Sequence, residues 1–357
     1  MSILRTIFSL AAEHDFELEG MDVDVAYLNA PVEEELFVKL APEFSPFSGD
    51  MPFVRRLRKA RTASSTLDDI LVGIGLDRST TDSYLYFSRD DGGEKDLLAA
   101  VYSGFRMKAL GSLSRVLGIE VRRDRPNGAI TISQGSYIRE VLKRYGFDEC
   151  RGVSTPVEGK VKISAPDGNS TEYRGMVGSL MYVSTRTRPD TAFAVHQAAR
   201  RMEDPCGEDF STYKCICRYL SAVPGLGITF GGKSNGHGPE GFVDADWADD
   251  VEDRKSTTGY VFKLNGAAIS WCSRKQQLVT WSSTEANYVA AGEAGKETVY
   301  LRDLRGSIGF GCRGARHYFK TGQRLISVRD LAYAPGQSTW ECTGTEFESG
   351  FGKEYWR

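Results

Sequence analysis

Three short strand-like runs followed at once by a long helix constrain this chain more than any other feature in it. Gly241–Ala245, Thr257–Leu264 and Ala267–Ser273 are each rich in aromatic and aliphatic residues, and polar turns separate them. Helical spacing then runs from about Ser283 to Leu304, opened by Ser-Ser-Thr-Glu, a capping-box pattern. That order predicts a three-stranded antiparallel meander packed on one helix. It also sets Asp244 near the end of the first strand and Glu285 at the start of the helix.

The other 290 or so residues divide less sharply. Ile3 to Ala12 has the apolar spacing of an amphipathic helix, and Phe16 to Leu28 alternates as a strand carrying Asp22 and Asp24. Leu67 to Ile74 fits a short helix. Ser83 to Phe87 and Leu97 to Tyr102 fit a strand pair around the Asp90–Gly93 turn. Gly118 to Arg122 and Ala129 to Ser133 flank Asn127-Gly128, a hairpin signal. Gly135 to Tyr145, Glu172 to Met202 (interrupted at Pro189) and Phe210 to Leu220 read as helices. The Ser-, Thr-, Pro- and Gly-rich stretch 151–171 and the Gly-rich stretch 231–241 read as joints. From Gly311 to Arg357 the chain has 7 Gly in 47 residues and only Leu325, Ile326, Val328 and Leu331 as aliphatics, too few for strands or a packed helix. Poor order is expected there.

Charge is distributed as a mosaic. Residues 1–50 hold 11 acids against 2 bases, residues 54–61 place five bases in eight positions, and residues 106–151 hold 10 bases against 5 acids. Acidic ground for a cation beside basic ground for a polyanion fits that pattern, and so does an ordinary solvated surface. No run of 18 apolar residues is present, and acids follow the first apolar patch, so neither a membrane span nor a signal peptide is expected. The 7 cysteines lack metal-ligand spacing and read as reduced thiols of an intracellular protein, cytoplasmic or nuclear. His14, His196, His237 and His317 lack Cys or Asp partners at ligand spacing and read as structural. Trp247 and Trp271 read as core or strand-edge residues.

Two sets of carboxylates could carry chemistry. Asp22, with Asp24 beside it, is an acid on a strand that ends at a turn, one way to hold a hard cation near a phosphate. Asp244 and Asp246 with Glu285 could share a metal pair, as two-metal phosphodiester hydrolysis requires. Spacing alone favours solvated acids and a helix cap over metal ligands.

The motifs narrow the choice. LRTIFSLAAEHDFELEGMDVDVAYLNAPVEEELFVKL, FRMKALGSL, LGIEVRRD, ISQGSYIREVLKRYGFDECRGVSTP and YRGMVGSLMYVSTRTRPDTAFAV resemble the reverse transcriptase of copia-type retrotransposons. GFVDADWADDVEDRKSTTGYVFKLNGAAISWCSRKQ and VTWSSTEANYVAAGEAGKETVYLRDL are similar to that family's ribonuclease H, and the blocks keep the family's order. The resemblance implies an α+β chain: a polymerase palm/thumb remnant over 1–155, a connection over 156–236, a ribonuclease H-like α/β unit over 237–310, and a divergent tail over 311–357. It makes Asp22 the palm metal ligand, with Asp24 a non-ligand neighbour, and Asp244 and Glu285 the ribonuclease H ligands. It implies Mg²⁺ as cofactor and an RNA–DNA hybrid or other nucleic acid as partner.

The departures point to a truncated, degenerate copy. The family's Tyr-Val-Asp-Asp turn is missing after Leu97–Tyr102, and so is its Leu-Tyr-Gly-Leu-Lys-Gln-Ala segment near Leu57–Arg61. The third ribonuclease H acid, in a Cys-Asp-Asn strand, is replaced by Gly309–Gly314. A pair of divalent ions needs clustered acids, so lost catalysis is the expectation. The alternatives are a nucleic-acid binder without catalysis and a weak Mg²⁺-dependent ribonuclease H.

Overall fold

The computed structural model describes residues 1–23, 37–39, 54–56, 68, 71–88, 107–157, 170–231, 238–250 and 253–310, with strand segments 316–321, 324–329, 331–332, 341–342 and 345–346. Helix and sheet are mixed, as in an α+β chain. Two units result: one is Met1–Leu18 with Leu113–Gly306 and Phe310–Arg357, the other Glu19–Ser112 with Ser307–Gly309. Packing, not the sequence boundaries at 155 and 236, decides this grouping. The N-terminal helix and the late strands share one core.

In the Glu19–Ser112 unit, β1 (Glu19–Val23) runs antiparallel to β2 (Met107–Ser112), and Asp22 stands opposite Lys108. Asp24 lies outside the described residues. Tyr86–Phe87 pairs with Asp77–Arg78, and Leu97–Tyr102, the partner that the sequence suggests, also lies outside the described residues. Two-residue ladders need only a tight turn between them, and residues 79–85 supply it: Ser79 N–H donates to the Leu85 carbonyl at 2.8 Å.

The larger unit starts with α1 (Ser2–His14), whose Phe8 and Ala11 are buried on one face. A four-stranded sheet follows from β3 (Arg115–Val116), β4 (Ile119–Asp124), β5 (Ala129–Ser133) and, much later, β6 (Ile228–Phe230). The expected β4–β5 hairpin is present, with Gly128 at φ 60 closing its turn. Helices α2 (Gly135–Arg144), α3 (Ser170–Arg186), α4 (Ala192–Ala199) and α5 (Gly207–Ala222) bury Ile138, Tyr173, Leu180, Val195, Tyr213 and Ile216 together. Pro189 separates α3 from α4, as its missing N–H requires, and opens a 3₁₀ turn.

The meander forms as its spacing predicts. β7 (Glu240–Asp246), β8 (Thr257–Leu264) and β9 (Ala267–Lys275) are antiparallel, and α6 (Ser283–Ser307) follows. Asn265 and Gly266 join β8 to β9 with φ of 52 and 80, the two-residue turn whose twist suits adjacent strands. Phe262 and Ile269 of the strands pack in one core with Ala290, Ala294 and Leu301 of α6 and Phe8 of α1. Small residues at 286, 290 and 294 let the helix lie close to the sheet.

Beyond residue 311 the structure differs from the sequence expectation. β10 (Arg316–Thr321) adds to β7 in parallel, β11 (Arg324–Arg329) pairs back on β10, and β12 (Thr345–Glu346) closes the sheet. The strand order is β9-β8-β7-β10-β11-β12. Aliphatic content misleads here because strand formation answers equally to an unpaired neighbouring edge, and β7 offers one on the side away from β8.

Candidate functional site

The acid-bearing elements of the larger unit meet where β7 ends and α6 begins. Asp244 is half-buried and pairs in register with Gly259 of β8, while Asp246 is exposed opposite Thr257. One residue on from Asp244, the Ala245 N–H donates to Asn287 Oδ1 at 2.9 Å, which ties the strand end to the second turn of the helix. Gln276, after β9, braces the same junction: its Nε2 donates to Thr258 Oγ1 at 3.1 Å and to the Ala286 carbonyl at 2.9 Å. The strand end and the helix start are thereby fixed to each other by side-chain amides.

Glu285 has a different occupation. Its carboxylate accepts the Trp281 N–H at 2.7 Å, and its own N–H donates to Ser282 Oγ at 3.1 Å. These are the reciprocal bonds of a helix cap, which satisfy donors that no helical carbonyl can reach. The Ser-Ser-Thr-Glu signal is read correctly as a cap, and the cap takes up the carboxylate assigned to the metal.

Further along the loop, Asp250 is nearly enclosed by cations. Arg200 Nη1 lies 2.8 Å and Lys275 Nζ 2.7 Å from its carboxylate. Asp253 accepts Lys275 at 2.9 Å and Lys255 at 3.3 Å, and its pKa is held below the usual carboxylate value by those hydrogen bonds against the opposing effect of burial. Lys255 therefore faces an acid. Ser256, next to it, is fully buried, and its Oγ accepts the Ala248 N–H at 3.1 Å.

Among the four histidines, His196 bonds through Nε2, accepting the Lys275 N–H at 3.1 Å. Burial first, then Arg200, Arg274 and Lys275, push its pKa down to about 4. His237 and the side chain of His317 lie outside the described residues, and His14 stacks on Phe16. Trp271 is packed at a strand edge, its Nε1 donating to the Ser184 carbonyl at 3.0 Å. Trp247 donates to the Thr280 carbonyl at 3.2 Å with its ring half-exposed.

In the smaller unit, exposed Asp22 stands in register with Lys108 on the neighbouring strand. Directly opposed residues in a ladder lie about 5 Å apart at Cβ. The nearest cross-strand position to Asp22 thus supplies a cation where a shared metal site needs another acid.

A divalent ion of the kind implied by the resemblance needs several oxygen ligands carrying negative charge. Among the described residues no group of three or more His, Cys, Asp or Glu side chains is arranged to hold one. Asp22 opposes a lysine, Glu285 caps its helix and Asp250 is ion-paired, so the residues present do not fit a two-ion centre. The amide Asn287, which reaches the strand end, escaped a search of the sequence for acids. Its position two residues after Glu285 was the signal available.

Among the described residues no helix is long and apolar enough to cross a membrane. No family model matches the chain. It is 35% identical over 350 residues to a retrovirus-related Pol polyprotein from transposon TNT 1-94 of Nicotiana tabacum, covering 87% of this chain and 26% of that protein. It is 32% identical over 339 residues to the Pol polyprotein from transposon RE1 of Arabidopsis thaliana, covering 86% of this chain and 23% of that protein. A secreted RxLR effector protein 161 of Plasmopara viticola is 44% identical over 129 residues, 36% of this chain and 90% of that protein. The chain spans about a quarter of the length of the two Pol relatives. With similarity to them along most of its own length, the chain belongs with the Pol polyproteins of copia-type retrotransposons.

Proposed function

We propose that this chain is a remnant of the polymerase and ribonuclease H region of a retrotransposon Pol polyprotein that keeps the scaffold and has lost phosphodiester chemistry. The six-stranded sheet supports the ribonuclease H-like reading: α6 leads from the edge strand β9 to β10, which lies beside β7 in parallel. The observation that carries the loss is that no three or more acids are grouped to hold an ion among the described residues. Glu285 holds the Trp281 N–H, and Asp250 sits between Arg200 and Lys275. Asp244 is the acid best placed for the old site, and β10, RHYFKT, has no acid to join it. The polymerase reading is weaker still, because Asp22 opposes Lys108 and the Tyr-Val-Asp-Asp turn is missing from the sequence.

The full chain incubated with an RNA–DNA hybrid and Mg²⁺ should leave the RNA strand intact. Cleavage that disappears in Asp244→Asn would overturn the loss of chemistry. Primer extension on an RNA template should likewise be undetectable, with Asp22→Asn indistinguishable from the parent.

Nucleic-acid binding without catalysis has one observation in its favour. Arg123 and Arg125 are tied to Asp15 and Glu17, but Arg122, Arg139 and Lys143 stand exposed on β4 and α2. Phosphate contacts need only such cations and weaken steeply with salt. Binding of hybrid duplex that falls with rising salt, and falls again in Arg139→Ala, would establish this role; salt-independent binding would exclude it.

A further inference from the structure

We propose that residue 287, not 285, is the helix-borne position of the old metal site, and that the amide of Asn287 is the substitution that breaks it. This rests on the ribonuclease H-like reading of the β7–α6 junction. Residues advance about 100° each around an α-helix, so positions 285 and 287 point roughly 200° apart. Only one of them can address the end of β7. Asn287 does so, with its Oδ1 2.9 Å from the Ala245 nitrogen, immediately after Asp244 in the chain. Glu285 turns the other way, 2.7 Å from the Trp281 nitrogen before the helix. Burial agrees: Asn287 is half-buried beside fully buried Ala286, and Glu285 is exposed.

The location suits a ligand. β7 and β10 are parallel neighbours, so their carboxyl ends open at the same end of the sheet, with β7 ending in Asp244-Ala245-Asp246. Ligands of open α/β sheets bind outside the carboxyl ends of such strands. What the helix side of this junction lacks is charge. An amide oxygen is neutral, and the one on Asn287 already accepts a backbone N–H. A carboxylate of the same shape has a second oxygen, so it can keep that bond and still face a cation with negative charge. Asn287→Asp is therefore a shape-conserving change that would restore a second acid beside Asp244.

Calorimetric titration of Mn²⁺ into the full chain tests this directly, with thermal melting as the check on folding. Asn287→Asp should bind Mn²⁺ about tenfold more tightly than the parent, or better. Adding Asp244→Asn should remove the gain, and adding Glu285→Gln instead should leave it in place. Affinity equal to the parent in an Asn287→Asp chain that melts normally would overturn the proposal. So would a gain that depends on Glu285 and ignores Asp244. Should Asn287→Asp fail to melt cooperatively, Asn287→Glu is read by the same criteria. Hybrid cleavage by the parent chain would refute the loss of chemistry proposed above, yet the titration would still decide which helix position faces Asp244.

Discussion

The two sides of strand β9 are held by different chemistry. Toward α6 the ties are hydroxyl and amide groups: Ser270 Oγ donates to Glu297 at 2.6 Å, and Gln276 bonds Thr258 and the Ala286 carbonyl. On the other side β9 is the edge of the six-stranded sheet, and cationic or titratable side chains cover it. Arg5 of α1 donates to the Ile269 carbonyl at 2.6 Å and lies 3.8 Å over the Trp271 ring. His196 of α4 accepts the Lys275 N–H. A bare strand edge is a template for pairing with another chain, and this one is capped by side chains from two helices, α1 and α4. The comparison teaches that the N-terminal and C-terminal motifs are joined along an edge as well as through their shared core.

Arg5 is the largest single element of that edge. Besides Ile269, it reaches the carbonyls of Thr185 at 2.9 Å and Arg186 at 3.1 Å, the last residues of α3, whose C-terminal carbonyls have no helical donors. Burial, then the nearby Arg186, push its pKa down to about 9, against Glu297, which raises it. The guanidinium stays charged at neutral pH and is held at some cost by three carbonyls and a ring. Arg5→Met fills similar space but leaves those carbonyls unmet, and should lower stability by about 3–5 kcal/mol in urea unfolding. A loss below about 1 kcal/mol would mean that the edge is not where these elements are joined.

The α6 side should yield less to the equivalent change. Gln276→Leu removes two hydrogen bonds but also a buried Oε1 that finds no hydrogen-bond partner among the described residues. The expected loss is about 1–2 kcal/mol by the same measurement. A loss as large as that of Arg5→Met would erase the contrast between the two sides.

How much of this was legible in the sequence depends on whether the deciding signal is local. The meander, the cap of α6, the β4–β5 hairpin and the break at Pro189 all follow from nearby residues, and the structure has them. Arg5 was read only as one base among many acids, because its partners lie 180, 181 and 264 residues away. The site divides the same way. The motif located the junction, and Glu285 was legible as a cap. Which helix residue faces the strand end depends on packing of α6 against β7, and an asparagine gives no sign of that role. The strands after residue 311 were illegible for a related reason: an available sheet edge, rather than their own composition, organises them.

The edge should also respond to acid through His196. His196 has its pKa lowered from 6.5 to about 4, so the folded chain binds fewer protons than the unfolded chain between those values. Its contribution is complete above about pH 6.5, declines as pH falls toward 4, and is lost below that. For a ring still partly open to solvent the discounted size is on the order of 1 kcal/mol. His196→Gln keeps an acceptor for the Lys275 N–H and does not titrate, so its stability should change less between pH 6.5 and 4. Identical pH profiles for the two proteins would place the acid sensitivity elsewhere.

The smallest effect is expected from the charged pair that faces α6. Arg274 Nη2 lies 2.8 Å from Glu293, but the Arg274 side chain is 57% exposed and the Glu293 side chain 23%. The hydrogen bond to Glu293 raises the Arg274 pKa, which marks a favourable contact without making it a strong one. Exposed pairs gain little because water screens the charges and two long side chains must be ordered. Arg274→Ala should therefore cost no more than about 0.5 kcal/mol, and a double-mutant cycle with Glu293→Ala should give a coupling of about that size. The coupling should shrink further in high salt, since exposed charges are screened. A coupling of about 2 kcal/mol that resists salt would show that charge, not hydroxyl and amide bonding, fastens α6 to the sheet, and the two sides of β9 would then differ in geometry alone.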